Sequence, residues 1–459
     1  MKFINDPYQK GETIAAIATA PGEAAISIVR LSGKNALDIA DQIFSSPVSS
    51  FKSHSAHLGY IIDENAKNID QALALPMLGS RSFCGEDTVE FHCHGGDFIA
   101  KEVLSLLLRK GAKAAKPGEF SFKAFINKKI DLAQAEAIQE IIGAKNRQFL
   151  KSAEEQLQGR LSKHIQNFQE SITHISAMLN AWVDFPEEDL DFAPLEKVCQ
   201  DLEQILASMK HLIESFDDGR VLREGAKICL LGSPNVGKSS LMNALLDKEK
   251  AIVTHIAGTT RDLIEDSWRL GQWEIQLCDT AGIRQADDII EEEGIRRSKK
   301  ALEDADLILW VLDQNKGLED PSLLEIIKPQ KTVLVWNKID LSTNSEIPKL
   351  SINTLAEIAI SVKEGRGIQK LQNLLLKLLS EQIKIEEKEL VLTNFRHKLA
   401  LESAYSSCQA LLTGCQNKSS PEFLCEDARA CLKELGKIIG KDIDEEIIHS
   451  IFSQFCIGK

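Results

Sequence analysis

The sequence predicts an α/β fold combined with an all-helical part. Over residues 226–380, the apolar runs KICLLG, EIQLCD, DLILWVLD, TVLVWN and IAIS alternate with helix-length polar segments, the pattern of a doubly wound parallel sheet. On both sides, LSKHIQNFQESITHISAMLNAWV and FRHKLALESAYSSCQALL carry apolar residues at helical spacing. Near the N-terminus, the β-branched runs AAISIVRLSG and DTVEFHCHGG alternate with the helical FIAKEVLSLLLRKGA. We therefore expect an α/β domain (1–120), a helical domain in two parts (121–225 and 381–459), and a second α/β domain (226–380) inserted into it.

The composition restricts the class of protein. The chain has 459 residues, of which 43% are apolar and 27% charged, as in soluble proteins of about three domains. The net charge of −14 argues against a protein that holds nucleic acid by its own electrostatics, so a partner would supply much of the basic surface. Ten cysteines without paired CxxC spacing indicate neither a zinc site nor a disulfide framework and favour the cytoplasm. No apolar stretch reaches the roughly 18 to 20 residues of a membrane helix, and TIAAIATA follows acidic residues unlike a signal peptide.

A glycine-rich loop follows the first strand of the second α/β domain. Residues 232–240 read GSPNVGKSS, and such a loop brings backbone N–H groups to phosphate oxygens at a helix N-terminus. Lys238 would neutralise the outer phosphates and Ser239 would offer its hydroxyl to Mg²⁺. The pattern alone also arises by chance, but four more motifs, GTTRD, DTAG, NKID and SVK, follow in the expected order.

Two of these motifs, DTAG and NKID, identify the nucleotide. Asp279 ends a strand in DTAG, where it would hold Mg²⁺ through water while Gly282 meets the γ-phosphate. Asp340 in NKID can accept from the ring N–H and the exocyclic amine of guanine, a donor pair that adenine lacks. The ligand is therefore predicted to be GTP. The residues predicted to contact it are Asn235, Val236, Gly237, Lys238, Ser239, Ser240, Thr254, His255, Ile256, Ala257, Gly258, Thr259, Thr260, Asp279, Thr280, Ala281, Gly282, Asn337, Lys338, Ile339, Asp340, Ser361, Val362 and Lys363.

The residue after DTAG is Ile283, where GTPases of the Ras type place a glutamine that orients water. Because an isoleucine cannot do so, hydrolysis requires another polar group and another positive charge. RQADDIIEEEGIRR supplies candidate carboxylates, and the amide oxygen of Asn235 would suit a monovalent cation.

Taken together, GSPNVGKSS, AIVTHIAGTTRD, DTAGIR, EEEGIRR and the terminal FCIGK resemble the MnmE (TrmE) family of bacterial tRNA-modification GTPases. In the first domain the resemblance rests on PGEAAISIVRLSG, SFCGEDTVEFHCHGG and KPGEFSFKAFINKKIDLAQAEAI. It implies a K⁺-activated GTPase acting as a homodimer, in which Glu291 orients the attacking water. It further implies that Asn235, Thr254, Ile256 and Thr259 bind K⁺ and that Ser239 and Thr260 bind Mg²⁺. Without the resemblance, Glu291 is equally well interpreted as an exposed acid at a helix N-terminus.

The resemblance also implies that the first domain binds 5-formyl- or 5,10-methylene-tetrahydrofolate as a one-carbon donor. The matching positions are Arg30, Glu90, Lys129 and Lys459, each otherwise an ordinary surface charge. An FAD-containing partner of the MnmG type would join in a heterotetramer that places a carboxymethylaminomethyl or aminomethyl group on carbon five of the tRNA wobble uridine. Cys456 is a possible catalytic thiol or a helix-end cysteine.

Two alternatives differ in their sequence requirements. A ribosome-assembly GTPase of the Era or Der type shares these loops, but it would need a basic RNA-binding module such as a KH domain, which the sequence does not show. A mechanical dimeric GTPase would not need the folate-type domain. His92, Cys93 and His94 are consecutive, but strand alternation separates Cys93 from the histidines, so a structural role is favoured over metal binding.

Overall fold

The polypeptide forms two units, and the chain leaves the first unit to build the second before it returns. The computed structural model describes residues 11–184, 195–246, 266–279, 300–319, 324, 327–341, 350, 352–382 and 390–458. One unit comprises Met1–Gly143, Ala153–Met209 and Leu399–Lys459, and the other comprises Ala144–Ser152 and Lys210–Lys398. This order confirms the predicted insertion of one α/β domain into a helical domain.

The first unit contains a mixed six-stranded sheet in the order β3-β4-β5-β2-β1-β6. Its strands are β1 (Ile14–Ile17), β2 (Ile26–Ser32), β3 (His57–Ile62), β4 (Asn68–Met77), β5 (Thr88–His94) and β6 (Lys113–Ala114). Helices α1 (Ala36–Asp41) and α2 (Asp97–Arg109) cover one face, where Val29 and Phe91 join the core. Because side chains alternate along a strand, Arg30 and Glu90 lie on the opposite face.

The helices of the first unit surround a second, aromatic core. They are α3 (Glu119–Ile126), α4 (Leu132–Gly143), α6 (Arg160–Asp184), α12 (Pro421–Ile439) and α13 (Glu445–Ser453), together with the C-terminal part of α5 (Arg147–Leu157) and the greater parts of α7 (Leu195–Glu214) and α11 (Phe395–Gln416). Helices α6 and α12 pack along each other. Phe452 on α13 is fully buried and contacts the rings of Phe122, Phe125 and Phe455.

The second unit contains the predicted sheet, in the order β12-β11-β10-β7-β9-β8. All neighbours are parallel except β8 and β9. The strands are β7 (Ala226–Leu231), β8 (Asp266–Leu270), β9 (Trp273–Asp279), β10 (Leu307–Asp313), β11 (Thr332–Asn337) and β12 (Ala356–Ala359), and helices α9 (Lys238–Leu246) and α10 (Ile368–Gln382) pack against them. Because parallel strands present their carboxyl ends at one edge, the loops after β7, β10 and β11 lie together.

Helix α8 (Phe216–Glu224) precedes β7 and packs on the chain that leaves the second unit. A Cβ atom on Gly219 would lie 1.9 Å from the carbonyl oxygen of Leu392, so only glycine permits this approach. Arg220 Nη2 lies 2.6 Å from Asp306 Oδ1, and Asp306 Oδ2 accepts a 2.8 Å hydrogen bond from the Lys227 amide. Helix α8 thus contacts both the exit segment at Leu392 and the residue before β10. Within the described ranges, none of the helices combines the length and the apolarity needed to span a membrane.

Candidate functional site

The loop between β7 and α9 has the close contacts of a phosphate-binding loop. A Cβ atom on Gly232 would lie 2.3 Å from the carbonyl oxygen of Val311, and one on Gly237 would lie 2.4 Å from Asn337 Nδ2. Both glycines therefore allow approaches that a side chain would block. The side chain of Val236 between them is buried in the core of the second unit, which anchors the loop.

Lys238 is buried and lies across this loop. Its Nζ donates hydrogen bonds to the carbonyl oxygens of Gly232 (2.8 Å) and Ser233 (2.9 Å). Ser239 and Ser240 follow at the start of α9 and are exposed. Lys238 and Ser239 thus occupy the end of the loop and the start of the helix that follows β7.

Asn337 joins the base-recognition motif to the phosphate loop. Its buried side chain donates from Nδ2 to the Val236 carbonyl oxygen (2.8 Å) and accepts at Oδ1 from the Val362 amide (3.2 Å). Three loops, after β7, β11 and β12, are therefore linked by one amide side chain. This arrangement brings together the predicted residues of GSPNVGKSS, NKID and SVK, with Ile339 and Lys363 in the same two loops.

Asp340 is held by the loop after β12. Its Oδ1 accepts a 2.6 Å hydrogen bond from Ser361 Oγ, and Ser361 is fully buried. This hydrogen bond from Ser361 is the main cause that lowers the pKa of Asp340 below its ordinary value. The carboxylate is therefore kept ionised and oriented, as an acceptor for two N–H donors of a base must be.

Asp313, at the end of β10, was not among the residues predicted from the sequence. Its Oδ2 accepts a 2.8 Å hydrogen bond from Lys338 Nζ, which also donates to the Asn235 carbonyl oxygen at 2.7 Å. Burial raises the pKa of Asp313, but hydrogen bonds from Lys338 and from Asn315 outweigh it, so the pKa lies below its ordinary value. Because Asp313 lies at the carboxyl end of β10, a strand that pairs with β7, its position in the sequence could have indicated that it lies near the phosphate-binding loop.

Other predicted nucleotide and cation ligands lie outside the described residues. Asp279 ends β9, where only its backbone is described. The remaining predicted positions outside the described ranges are Thr254, His255, Ile256, Ala257, Gly258, Thr259, Thr260, Thr280, Ala281, Gly282, Glu291 and Lys459. Their assignments stay predictions.

In the first unit, Arg30 and Glu90 face each other across β2 and β5, where they are register partners. Arg30 Nε lies 2.8 Å from Glu90 Oε1, and its Nη1 donates a 3.1 Å hydrogen bond to the carbonyl oxygen of Gly458. The guanidinium also lies over the ring of Phe120, 5.4 Å from its centroid. Lys129 instead donates from Nζ to the carbonyl oxygen of Ser80 at 2.7 Å, in the loop before β5.

The thiols and histidines of this unit have different surroundings. Cys456 is exposed, and its carbonyl oxygen accepts a 3.4 Å hydrogen bond from the Gly118 amide. Cys93 is buried, whereas His92 and His94 lie on the other face of β5, where they contact Glu90 and Asp70 respectively. Among the described side chains, no group of three or more His, Cys, Asp or Glu is arranged to hold a metal ion.

Family models and curated relatives match this chain over nearly its whole length. The family model of the GTP-binding protein TrmE N-terminus matches residues 13–129, and that of the MnmE helical domain matches residues 132–456. The tRNA modification GTPase MnmE of Protochlamydia amoebophila is 51% identical over 461 residues, which covers 100% of both chains. The protein of the same name from Chlamydia pneumoniae is 45% identical over 454 residues, covering 98% of this chain and 100% of the relative.

Proposed function

The chain belongs to the MnmE family of tRNA modification GTPases, and on that premise we propose that it binds and hydrolyses GTP as part of tRNA modification. The observation that carries this proposal is the linkage of three loops by Asn337, with Asp340 held ready by Ser361. One end of this arrangement suits a guanine base and the other suits a triphosphate. The spacing between the two ends is fixed by hydrogen bonds.

On the phosphate side, the chain supplies a positive charge and converging N–H groups. Lys238 now donates to two carbonyl oxygens of its own loop. In the GTP complex its ammonium would exchange these oxygens for phosphate oxygens, which are stronger, charged acceptors. Ser239, with Thr260 and Asp279, would hold Mg²⁺, which neutralises the charge that develops on the phosphates.

A monovalent cation is the next part of the proposal. K⁺ prefers oxygen ligands, and Asn235 offers an exposed amide at a backbone φ of 64°, next to the position of the phosphates. Thr254, Ile256 and Thr259 would complete the set. When bound, K⁺ would supply the positive charge for which other GTPases use an arginine. Glu291 would orient the water in place of the glutamine that Ile283 replaces.

We propose that the first unit binds a formyl- or methylene-tetrahydrofolate at Arg30 and Glu90, with Lys129 and Lys459. The carboxylate of Glu90 is fixed on one side by Arg30, and its Oε2 lies 3.4 Å from His92 Nε2. A fixed carboxylate suits the amine and ring N–H of a pterin, and cations suit its acidic tail. Cys456 is exposed in the same unit, so its thiol is accessible to reagents.

The proposed partners are inferred from membership of the same family. We propose a homodimer that joins an FAD-containing protein of the MnmG type in a heterotetramer, in the cytoplasm, to place a carboxymethylaminomethyl or aminomethyl group on wobble uridines. The net charge of −14 supports a partner that supplies the basic surface for tRNA. The edge strand β3 exposes Leu58 and Tyr60, 68% and 40% accessible, which supports burial of this face in an assembly.

Mass analysis of tRNA nucleosides from cells that lack the gene tests the overall function. We expect the wobble modification to be lost and to return when the gene is restored. Restoration by a Lys238→Ala variant, which removes the phosphate-binding ammonium, would contradict the coupling of modification to GTP hydrolysis. Normal modification in the deletion strain would overturn the proposal.

Replacing K⁺ by Na⁺ in the GTPase assay tests the cation. We expect the turnover of GTP to fall sharply in Na⁺, while an Asn235→Ala variant should lose the response to K⁺. Equal rates in both salts would remove the cation from the proposal and leave the assignment of GTP intact.

A further inference from the structure

Asp313 lies between the base-recognition motif and the phosphate loop, and no sequence motif includes it. Only 6% of its side chain is exposed. Its Oδ2 accepts from Lys338 Nζ at 2.8 Å, and its Oδ1 accepts from the Asn315 amide at 3.0 Å. Both carboxylate oxygens therefore have donors, as a nearly buried charge requires.

The turn after β10 fixes the carboxylate in place. The backbone oxygen of Asp313 accepts from the amides of Lys316 (3.1 Å) and Gly317 (2.9 Å), while the Gln314 amide donates to the Asn337 carbonyl oxygen at 3.0 Å. Hydrogen bonds within the turn and one to the end of β11 therefore stabilise the turn. These hydrogen bonds hold the backbone of Asp313 in place, and the Asn315 amide holds its carboxylate.

Lys338 continues the connection to the phosphate loop. Its Nζ donates to the Asn235 carbonyl oxygen at 2.7 Å. Both Asn235 and Lys338 have a φ of 64°, a left-handed backbone that residues other than glycine rarely adopt. Such a conformation persists where surrounding contacts hold it. The Asp313–Lys338 ion pair and the hydrogen bond to Asn235 are contacts of this kind.

We propose that Asp313 is a positioning residue for guanine-nucleotide binding. It holds the Lys338 ammonium against the Asn235 carbonyl, so that NKID and the phosphate loop keep the spacing that the base and the phosphates of one nucleotide require. Asp313 acts through Lys338 and does not itself contact the nucleotide. The inference rests on the proposed function, because it assumes that these loops bind a guanine nucleotide.

Calorimetric titration of the full chain with GDP and Mg²⁺ tests this role. We expect Asp313→Asn, which keeps the shape but removes the charge, to weaken GDP binding about tenfold or more, because a charge-assisted hydrogen bond to a nearly buried group is lost. Asp313→Glu should recover part of the affinity. The matched control is Glu319→Gln, which removes an exposed ion pair with Lys316 near the same turn and should leave the affinity unchanged.

A double-mutant cycle with Lys338→Met separates positioning from general stabilisation. If Asp313 acts through Lys338, Asp313→Asn adds no loss of GDP affinity in the Lys338→Met background. A full tenfold further loss in that background, or equal affinity of Asp313→Asn and the wild type, would overturn the inference. Should Asp313→Asn fail to give a thermal unfolding transition, Asp313→Ser, which keeps an acceptor for the turn, replaces it with the same expected outcomes. Failure of the wild type itself to bind GDP would instead refute the proposed function.

Discussion

Replacement of Gly237 by alanine is expected to weaken nucleotide binding strongly. Gly237 has a φ of +101°, and an added Cβ would lie 2.4 Å from Asn337 Nδ2, about 1 Å inside ordinary contact distance. That Nδ2 donates the buried hydrogen bond to the Val236 carbonyl oxygen. The strained backbone costs about 1–3 kcal/mol, and the lost hydrogen bond costs about 1–3 kcal/mol. Because about 1.4 kcal/mol corresponds to a factor of ten, the loss of about 1–3 kcal/mol in the link between the two loops is expected to reduce GDP affinity about 5- to 150-fold, whereas the backbone strain lowers the free energy of unfolding.

Calorimetric titration of Gly237→Ala with GDP measures this effect directly. The matched control is Gly365→Ala, because Gly365 also has a left-handed φ of +71° but an added Cβ would meet nothing within 4 Å. The control should lose about 1 kcal/mol of folding stability and keep its affinity. An affinity of Gly237→Ala within about threefold of the wild type would refute the reasoning from close contact. An equal loss in both variants would assign the effect to backbone strain alone.

Four further outcomes follow from the described contacts. Asp340→Asn should shift the preference from guanine towards xanthine nucleotides, and an unchanged preference in competition binding would contradict the role of Asp340. Phe452→Ala, at a fully buried ring that contacts three other phenylalanines, should lower the free energy of unfolding by about 3–5 kcal/mol in thermal or denaturant melts. Because the pKa of Asp313 is lowered in the folded state, its ionisation stabilises the fold above its unfolded pKa of about 3.9 and ceases to do so as the pH falls through the folded pKa. The difference in free energy of unfolding between the wild type and Asp313→Asn should therefore be full at neutral pH and shrink below about pH 4. A difference of the same size at neutral and at acid pH would argue against this role of the charge. Thiol labelling near pH 8 should modify the exposed Cys456 of the first unit before Cys84 and Cys93, because burial raises the pKa of Cys84 to about 11 and that of Cys93 to about 12. A Cys456→Ser variant should lack the fast phase of labelling.

The second sheet could be predicted because its central strands β10 and β11 are buried on both faces. All seven residues of β10 are buried, so the strand appears in the sequence as the continuous apolar run LILWVL followed by Asp313. The phosphate loop and NKID could be located because each follows such a strand directly. Local patterns thus predicted the fold class and the loops of the candidate nucleotide site.

Contacts between distant segments could not be predicted in this way. The pairing of Arg30 with Glu90 depends on β2 lying beside β5 in a register that brings residues 60 positions apart together. The role of Asp313 depends on the length and direction of the Lys338 side chain, which the left-handed backbone of Lys338 turns towards β10. Neither the sheet order nor this backbone conformation has a local signature in the sequence.

The hydrogen bond from Arg30 to the carbonyl of Gly458 spans 428 positions of the sequence. A ribosome that adds about 5–20 residues per second needs roughly 20–90 s to make the intervening chain. During that time β2 and β5 can already pair, yet the guanidinium has no tail to bind. A polypeptide released after residue 240 but before residue 458 carries the phosphate loop and lacks the carbonyl oxygen that Arg30 binds. The surroundings of the Arg30–Glu90 pair are therefore completed much later in synthesis than the pair itself.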